Sequence, residues 1–259
     1  MHPGREKASQ ERIGPIRVWR PQLHDTSPWL HAVVTTRHGG CSRPPYDSLN
    51  LGLSTGDDPA DVDANRALLL QHLSLESLRL HRLDQVHGNR VIEARELVSG
   101  HRADGLWTDE PGNVLVVGVA DCVPVFVWDA RRRRIALAHA GWRGTAAGIV
   151  GCTVDALRAA GSDCADLWMA MGPSIGPCCY EVGEEVAAHF PPGARAPRGR
   201  AVRVDLRQAN RARAVERGVP EAQILPDPPC TACETATFYS HRRQGPRTGR
   251  IWALAWVRG

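Results

Sequence analysis

The stretch Ala120–Gly144, ADCVPVFVWDARRRRIALAHAGWRG, limits the possible folds of this chain more than any other. With the residues just before it, it supplies three bulky apolar runs: Val114–Val119, Val123–Trp128 and Ile135–His139. Each is too short for a buried helix and rich in β-branched side chains, so each reads as a buried strand. Asp129–Arg134 between the last two reads as a hairpin turn whose arginines face solvent. Asp121, Cys122, His139 and Arg143 sit at the ends of these runs. Polar groups at the edge of a buried sheet are costly unless they satisfy one another or meet at a site.

The flanking chain alternates strand and helix signals without a strict repeat. Trp29–Thr36 reads as a strand, and Arg37-His38-Gly39-Gly40 then breaks into a loop that runs past Asn50. Asp58 and Pro59 offer a helix start, and Val62, Leu69, Leu70 and Leu73 continue an apolar stripe. His87 precedes a strand at Arg90–Ala94, and Ala103-Asp104-Gly105 marks a turn. Gly144–Ala160 predicts one small-residue helix with Gly161 past its end. Leu167–Met171 reads as a strand and the stretch to Phe190 as a loop and a helix. Pro191–Arg200 reads as a surface excursion, Asp205–Arg217 as a helix and Ile251–Val257 as a closing strand. This mixture predicts an α+β (α/β) fold, with residues 1–15 as a disordered tail and 16–259 as one domain.

Composition excludes several classes. Arginine supplies every side-chain cation except Lys7, which lies in the polar leader, so Schiff-base and P-loop lysine chemistry is absent. Aromatic residues make up 5% of the chain and the net charge is only +4, a poor match to nucleic-acid binding. No apolar run approaches the roughly 18 residues of a membrane span. With no apolar leader and eight scattered cysteines, the sequence predicts a cytoplasmic protein with reduced thiols. No heptad or exposed apolar stripe argues for assembly, so a monomer is expected.

His87, Cys122 and His139 have the donor types of a catalytic zinc site, which keeps three protein ligands and an open position. The same atoms suit a cysteine hydrolase, with Cys122 as nucleophile, His139 as base, and Asp104 or Asp121 orienting the histidine. They also suit a core thiol beside hydrogen-bonded histidines, and sequence separation alone leaves these open. None of the eleven histidines is followed two positions later by another, which argues against a trinuclear copper cluster. Cys230-Thr231-Ala232-Cys233 lacks the second such pair of a zinc ribbon, and the adjacent Cys178-Cys179 is not the usual ligand spacing. These four therefore read as structural thiols near a site wall.

Several ordered motifs extend this picture: Thr36-Arg37-His38-Gly39-Gly40, Leu49-Asn50-Leu51-Gly52, Gln85-Val86-His87-Gly88 and Ala103-Asp104-Gly105. They are followed by Asp121-Cys122-Val123-Pro124, His139-Ala140-Gly141-Trp142-Arg143-Gly144, Gly176-Pro177-Cys178-Cys179-Tyr180-Glu181 and Thr248-Gly249-Arg250. In this order they resemble the YfiH-like family of laccase-domain (polyphenol oxidase) proteins, regarded as purine nucleoside phosphorylases. His38, Cys41 and Trp107 depart from the family's usual residues without removing a ligand. The resemblance implies a layered sandwich related to the catalytic domain of the cytotoxic necrotizing factors. It further implies Zn2+ (Cu2+ in an older attribution) held by His87, Cys122 and His139. The implied activities are phosphorolysis of adenosine, inosine and methylthioadenosine, deamination of adenosine and, in the older attribution, copper-dependent phenol oxidation. Purine nucleoside and phosphate are the expected small-molecule partners. On that footing Cys122, His139, Asp121 and Arg143 form the expected catalytic set. Arg37 and Arg143 are expected on phosphate, Asn50 on ribose hydroxyls and Tyr180 on the base.

Overall fold

The three central apolar runs are strands covered on both faces. A computed structural model describes residues 10–23, 27–198 and 201–257. In chain order its strands begin with β1 (Gln10–Ile13), β2 (Ile16–Trp19), β3 (Leu30–Thr35), β4 (Arg79–Arg82), β5 (Val91–Glu93), β6 (Gly105–Thr108) and β7 (Asn113–Val119). They continue with β8 (Val123–Asp129), β9 (Arg134–Ala140), β10 (Leu167–Met171), β11 (Glu181–Val182), β12 (Arg195–Arg198), β13 (Ala201–Val204) and β14 (Ile251–Val257). The helices are α1 (Pro59–Leu73), α2 (Trp142–Ala146), α3 (Ile149–Ala159), α4 (Glu184–Ala187), α5 (Leu206–Glu216) and α6 (His241–Gln244).

Two mixed sheets stack face to face. One has the order β1-β2-β3-β14-β7-β4, the other β10-β8-β9-β6-β5, and a small third sheet has β11-β13-β12. Leu115, Val117, Ile251 and Ala253 of the first sheet meet Phe126, Trp128, Leu137 and Leu106 of the second in a buried core. The opposite face of the second sheet, with Val123, Val125, Val127, Ala136 and Ala138, packs on Ile149, Val150, Val154 and Leu157 of α3 and on Ala214 of α5. The outer face of the first sheet, with Val114, Val116 and Leu254, packs on Leu69 of α1. The result is a layered α+β sandwich, helix–sheet–sheet–helix. Strands in its inner layers are apolar on both faces, so Val123–Asp129 is buried at every position and shows no alternation.

The hairpin read into Asp129–Arg134 is present: β8 and β9 are antiparallel, with Asp129 opposite Arg134 and Pro124 opposite His139. Asp58 caps α1 by accepting from the Ala60 N–H, and Pro59 opens it.

Three expectations need correction. The tail expected over residues 1–15 includes β1, which pairs with β2 from Gln10↔Trp19 to Ile13↔Ile16; residues 1–9 lie outside the described residues. The single helix expected over Gly144–Ala160 is two, because Gly148 adopts φ 81° and breaks the run between α2 and α3. The stretch 191–200, expected as an excursion, contributes β12, which pairs with β13. Residues 199–200 lie outside the described residues.

Candidate active site and metal centre

His139 near the end of β9, Cys122 from the β7–β8 loop and His87 from the loop after β4 come together, with all three donor atoms within 4.8 Å of one another. The β8–β9 hairpin accounts for two of them. Its register sets Pro124 across from His139, so Cys122, two residues before Pro124, lies beside the histidine. His87 arrives from the loop after β4 with φ 59°, a left-handed conformation that a non-glycine residue adopts only when its surroundings hold it.

Asp104 supplies that hold. Its carboxylate accepts from the backbone N–H groups of Val86 at 3.2 Å, His87 at 2.9 Å and Gly88 at 2.7 Å. The same carboxylate lies 2.8 Å from His139 Nδ1, and the His139 N–H donates to the Asp104 carbonyl at 2.7 Å. One fully buried carboxylate thus positions two of the three donors. Burial works against its charge, but the bond to His139 and the backbone N–H groups hold its pKa below the ordinary carboxylate value. With Nδ1 donating to Asp104, Nε2 of His139 is left for the cluster, the second-sphere arrangement that metal-binding histidines use.

The electrostatics of the three donors are coupled. Burial opposes ionisation of Cys122, yet the charge of His139 and hydrogen bonds from His139 and His87 bring its thiol down to about 6. Burial disfavours the His139 cation, while Cys122 and Asp104 together raise it to about 9. The rings of His87 and His139 meet edge to face at 4.8 Å. Gly141 closes the cradle from behind: a Cβ there would lie 2.8 Å from His87 Cδ2 and 3.0 Å from Cys122 Sγ. Two imidazoles and a readily ionised thiol, with an oriented histidine and a backbone pressed against them, are a donor set that fits zinc.

The cluster opens into a cavity of about 840 Å³ whose walls include Arg82, Arg143, Arg242, Arg250, Tyr180 and Trp252. Arg143 is exposed and stacks on Trp142 at 4.2 Å, and Arg242 lies 5.0 Å from the Tyr180 ring centre. Arg82 lies 4.9 Å over Trp252. Four guanidinium groups around one cavity favour an anionic ligand, and flat aromatic walls suit a planar one. Burial pushes the Tyr180 hydroxyl up to about 12, aided by the Cys122 charge.

Cys122, His139, Asp121, Arg143, Tyr180 and His87 all line this cavity; Arg37 and Asn50 do not. Arg37 spends its fork elsewhere. Its Nε donates to the Asp47 carbonyl at 2.8 Å, Nη1 to Thr235 O at 2.9 Å, and Nη2 pairs with the Asp47 carboxylate at 3.1 Å. Asn50 is fully buried; its amide donates to Thr55 Oγ1 and Asp57 Oδ2, each at 2.9 Å, and its oxygen accepts from Gly52 N and Arg250 N. Neither side chain reaches the cavity, so the roles expected on phosphate and ribose are withdrawn. Asp121 is also redirected. Its carboxylate accepts from Thr231 Oγ1 at 2.7 Å and from the Arg242 N–H at 2.6 Å, which clasps the β7–β8 turn to two distant segments of the cavity wall.

Sequence reasoning weighed Asp104 and Asp121 equally as the orienting carboxylate, and the backbone N–H groups around Asp104 decide between them. Arg242 and Arg250 went without a role because the arginine-rich composition hides any single arginine. The available signal was their place among the residues that carry the family resemblance, Arg242 shortly after Phe238 and Arg250 in Thr248-Gly249-Arg250.

Comparison with known proteins adds a second line. Residues 31–258 match the family described as multi-copper polyphenol oxidoreductase laccase. The purine nucleoside phosphorylase YlmD of Geobacillus stearothermophilus is 38% identical, over 95% of each chain. A purine nucleoside phosphorylase of Pseudomonas aeruginosa is 42% identical over 88% of this chain and 93% of its own. The crystal structure of the Geobacillus YlmD superposes with a TM-score of 0.89 at 35% identity, covering 97% of this chain and 99% of that one.

Proposed function

Since the chain belongs to the laccase-domain family, whose relatives include proteins named purine nucleoside phosphorylases, we propose that it is a zinc-dependent purine nucleoside phosphorylase acting on adenosine, inosine and methylthioadenosine, with adenosine deamination as a side activity. The observation that carries this reading is the three-donor cluster of His87, Cys122 and His139 on a cavity lined by arginines and aromatic rings. When bound, a zinc ion there supplies a Lewis acid that activates a nucleophile or polarises a substrate atom at neutral pH.

In phosphorolysis a phosphate oxygen forms a bond to the ribose C1′ while the C1′–N9 bond breaks. The bonding pair leaves with the purine, which takes up a proton. Arg143, exposed at the cavity wall and stacked on Trp142, holds the phosphate dianion, and Arg242 adds a second positive edge beside Tyr180. Tyr180, partly exposed on the cavity wall, offers an aromatic face to a purine ring, whereas Trp252 is buried beneath the Arg66 and Arg82 guanidinium groups. Asp104 keeps the His139 proton on Nδ1 and so fixes which face of the imidazole meets the cluster. Asp121 accepts from the Thr231 hydroxyl and the Arg242 N–H and so braces the cavity wall.

His87 separates this reading from a cysteine hydrolase. A nucleophile–base pair needs one imidazole, and here two converge on the thiol. A copper phenol oxidase of the multicopper type needs more histidine ligands than the three-donor cluster supplies.

The test is a product assay on metal-quantified protein with adenosine and inosine, with and without phosphate, beside His139→Ala. Free base and ribose 1-phosphate should appear only with phosphate. Loss of several kcal/mol of transition-state stabilisation with the metal should lower kcat/KM by about 10³-fold in the variant. Turnover that survives complete removal of metal would sink the zinc reading and leave the hydrolase.

A further inference from the structure

Four cysteines outside the cavity converge from two distant segments. Sγ of Cys178, Cys179, Cys230 and Cys233 all lie within 4.8 Å of one another, with Cys178···Cys233 at 3.5 Å and Cys179···Cys233 at 3.4 Å. We propose that these four thiolates hold a second zinc ion in a closed structural site.

The geometry distinguishes a metal site from a disulfide. A bonded pair needs sulfurs about 2.05 Å apart and leaves the other two unengaged; here none of the cysteines is paired and all four sulfurs face one centre. Tetrahedral thiolates at a Zn–S distance of about 2.3 Å stand about 3.8 Å from one another, and the sulfurs approach that mutual spacing. Four sulfurs in a tetrahedron select zinc or iron over harder cations, and a site with no open position is the structural form of zinc.

The surrounding chain is built to hold the sulfurs. Gly176 N–H donates to Cys230 Sγ at 3.2 Å, and the Cys230–Cys233 turn closes through Cys233 N to Cys230 O at 3.1 Å. The turn at Gly176, closed by Cys179 N to Gly176 O at 3.0 Å, brings adjacent Cys178 and Cys179 to the same side. Buried Arg207 then locks the two segments together, donating to the carbonyls of Ser174 and Pro228 at 2.6 Å and of Pro229 at 2.7 Å. Four thiolates around a divalent ion leave two negative charges. Arg243 lies against them, with Nη2 at 3.7 Å from Cys179 Sγ and Nε donating to Ala232 O at 3.0 Å.

None of the four sulfurs lines the cavity, so the site acts on it only through the chain. Tyr180 follows Cys179 directly, and Thr231, beside Cys230, holds Asp121 next to Cys122. The ion cross-links the two segments that carry Tyr180 and Arg242 to the cavity wall.

The experiment measures metal per chain on full-length protein purified under reducing conditions, by elemental analysis and native mass spectrometry. Two zinc ions per wild-type chain are expected, and Cys178→Ser with Cys233→Ser should lose one and keep the other. A second measurement needs no variant. Cys178 and Cys233 are exposed, so iodoacetamide should alkylate them slowly in zinc-loaded protein and rapidly after chelation, mapped by peptide mass. Equal zinc content in wild type and variant, rapid alkylation of loaded protein, iron in place of zinc, or an intact mass lower by two hydrogens would each overturn the proposal.

Discussion

The cavity cluster and the four-cysteine cluster are each gathered from separate segments of the chain, yet they differ in every feature that decides what a bound ion does. The cavity cluster has three donors of two chemistries, an orienting carboxylate in Asp104 and a side open to about 840 Å³ of space. The other has four identical donors, an arginine in place of a carboxylate, and no part in the cavity wall. Three donors leave a coordination position for chemistry, and four close the site. On the proposed reading, an ion at the cavity would be the reactive one and an ion on the four thiolates a clamp.

The most damaging way to separate them is at Asp104, since only the cavity cluster has such a residue. Asp104→Asn removes the charge that faces His139 and three backbone N–H groups. Zinc affinity at the cavity should fall about 10- to 100-fold, while the thiolate site keeps its ion. Competition with a chromophoric chelator would resolve the two steps; a parallel loss at both sites would show that one unit is being unfolded.

A milder contrast uses one arginine from each site. Arg143→Ala should raise the KM for phosphate about 10- to 150-fold, since a charged hydrogen bond contributes roughly 1.5–3 kcal/mol, with metal content unchanged. Arg243→Ala should leave that KM alone and speed the release of one zinc to a chelator. Steady-state kinetics with varied phosphate, beside timed release of the metal, tells the two apart. Identical behaviour of the two variants would erase the distinction between ligand binding and bracing.

How far these features could be read in the sequence depended on how local they are. The runs at Val114–Val119, Val123–Asp129 and Arg134–Ala140 were legible because burial on both faces demands unbroken apolar sequence. The β8–β9 hairpin made Cys122 and His139 neighbours by register alone. The arrival of His87 depended on N–H groups around a distant carboxylate, which no side-chain pattern records. β1, with sequence QERI, is polar and mostly exposed because it lies on a sheet edge, so it read as tail. Arg37 and Asn50 misled because a glycine-rich loop that binds a ligand and one that must satisfy its own irregular backbone use the same residues. The four cysteines read as structural thiols near a site wall but not as one ligand set, because Cys179 and Cys230 belong to segments joined only by the fold.

The finest test asks whether the two sites share more than a wall. Thr231 is a polar link between them, donating to Asp121 Oδ1 at 2.7 Å from the position next to Cys230. Thr231→Val keeps the shape and deletes the donor. Asp121 retains the Arg242 N–H at 2.6 Å, so it is weakened rather than stranded. The cost should sit at the low end for a buried acceptor, about 1 kcal/mol. For a chain of this size that lowers Tm by about 2–4 °C. If the clamp merely braces, both zinc ions stay and kcat/KM shifts less than the Arg143 variant's. If instead the thiolate site tunes Cys122 through Asp121, zinc affinity at the cavity falls along with Tm, and the separation of clamp from reactive centre no longer holds.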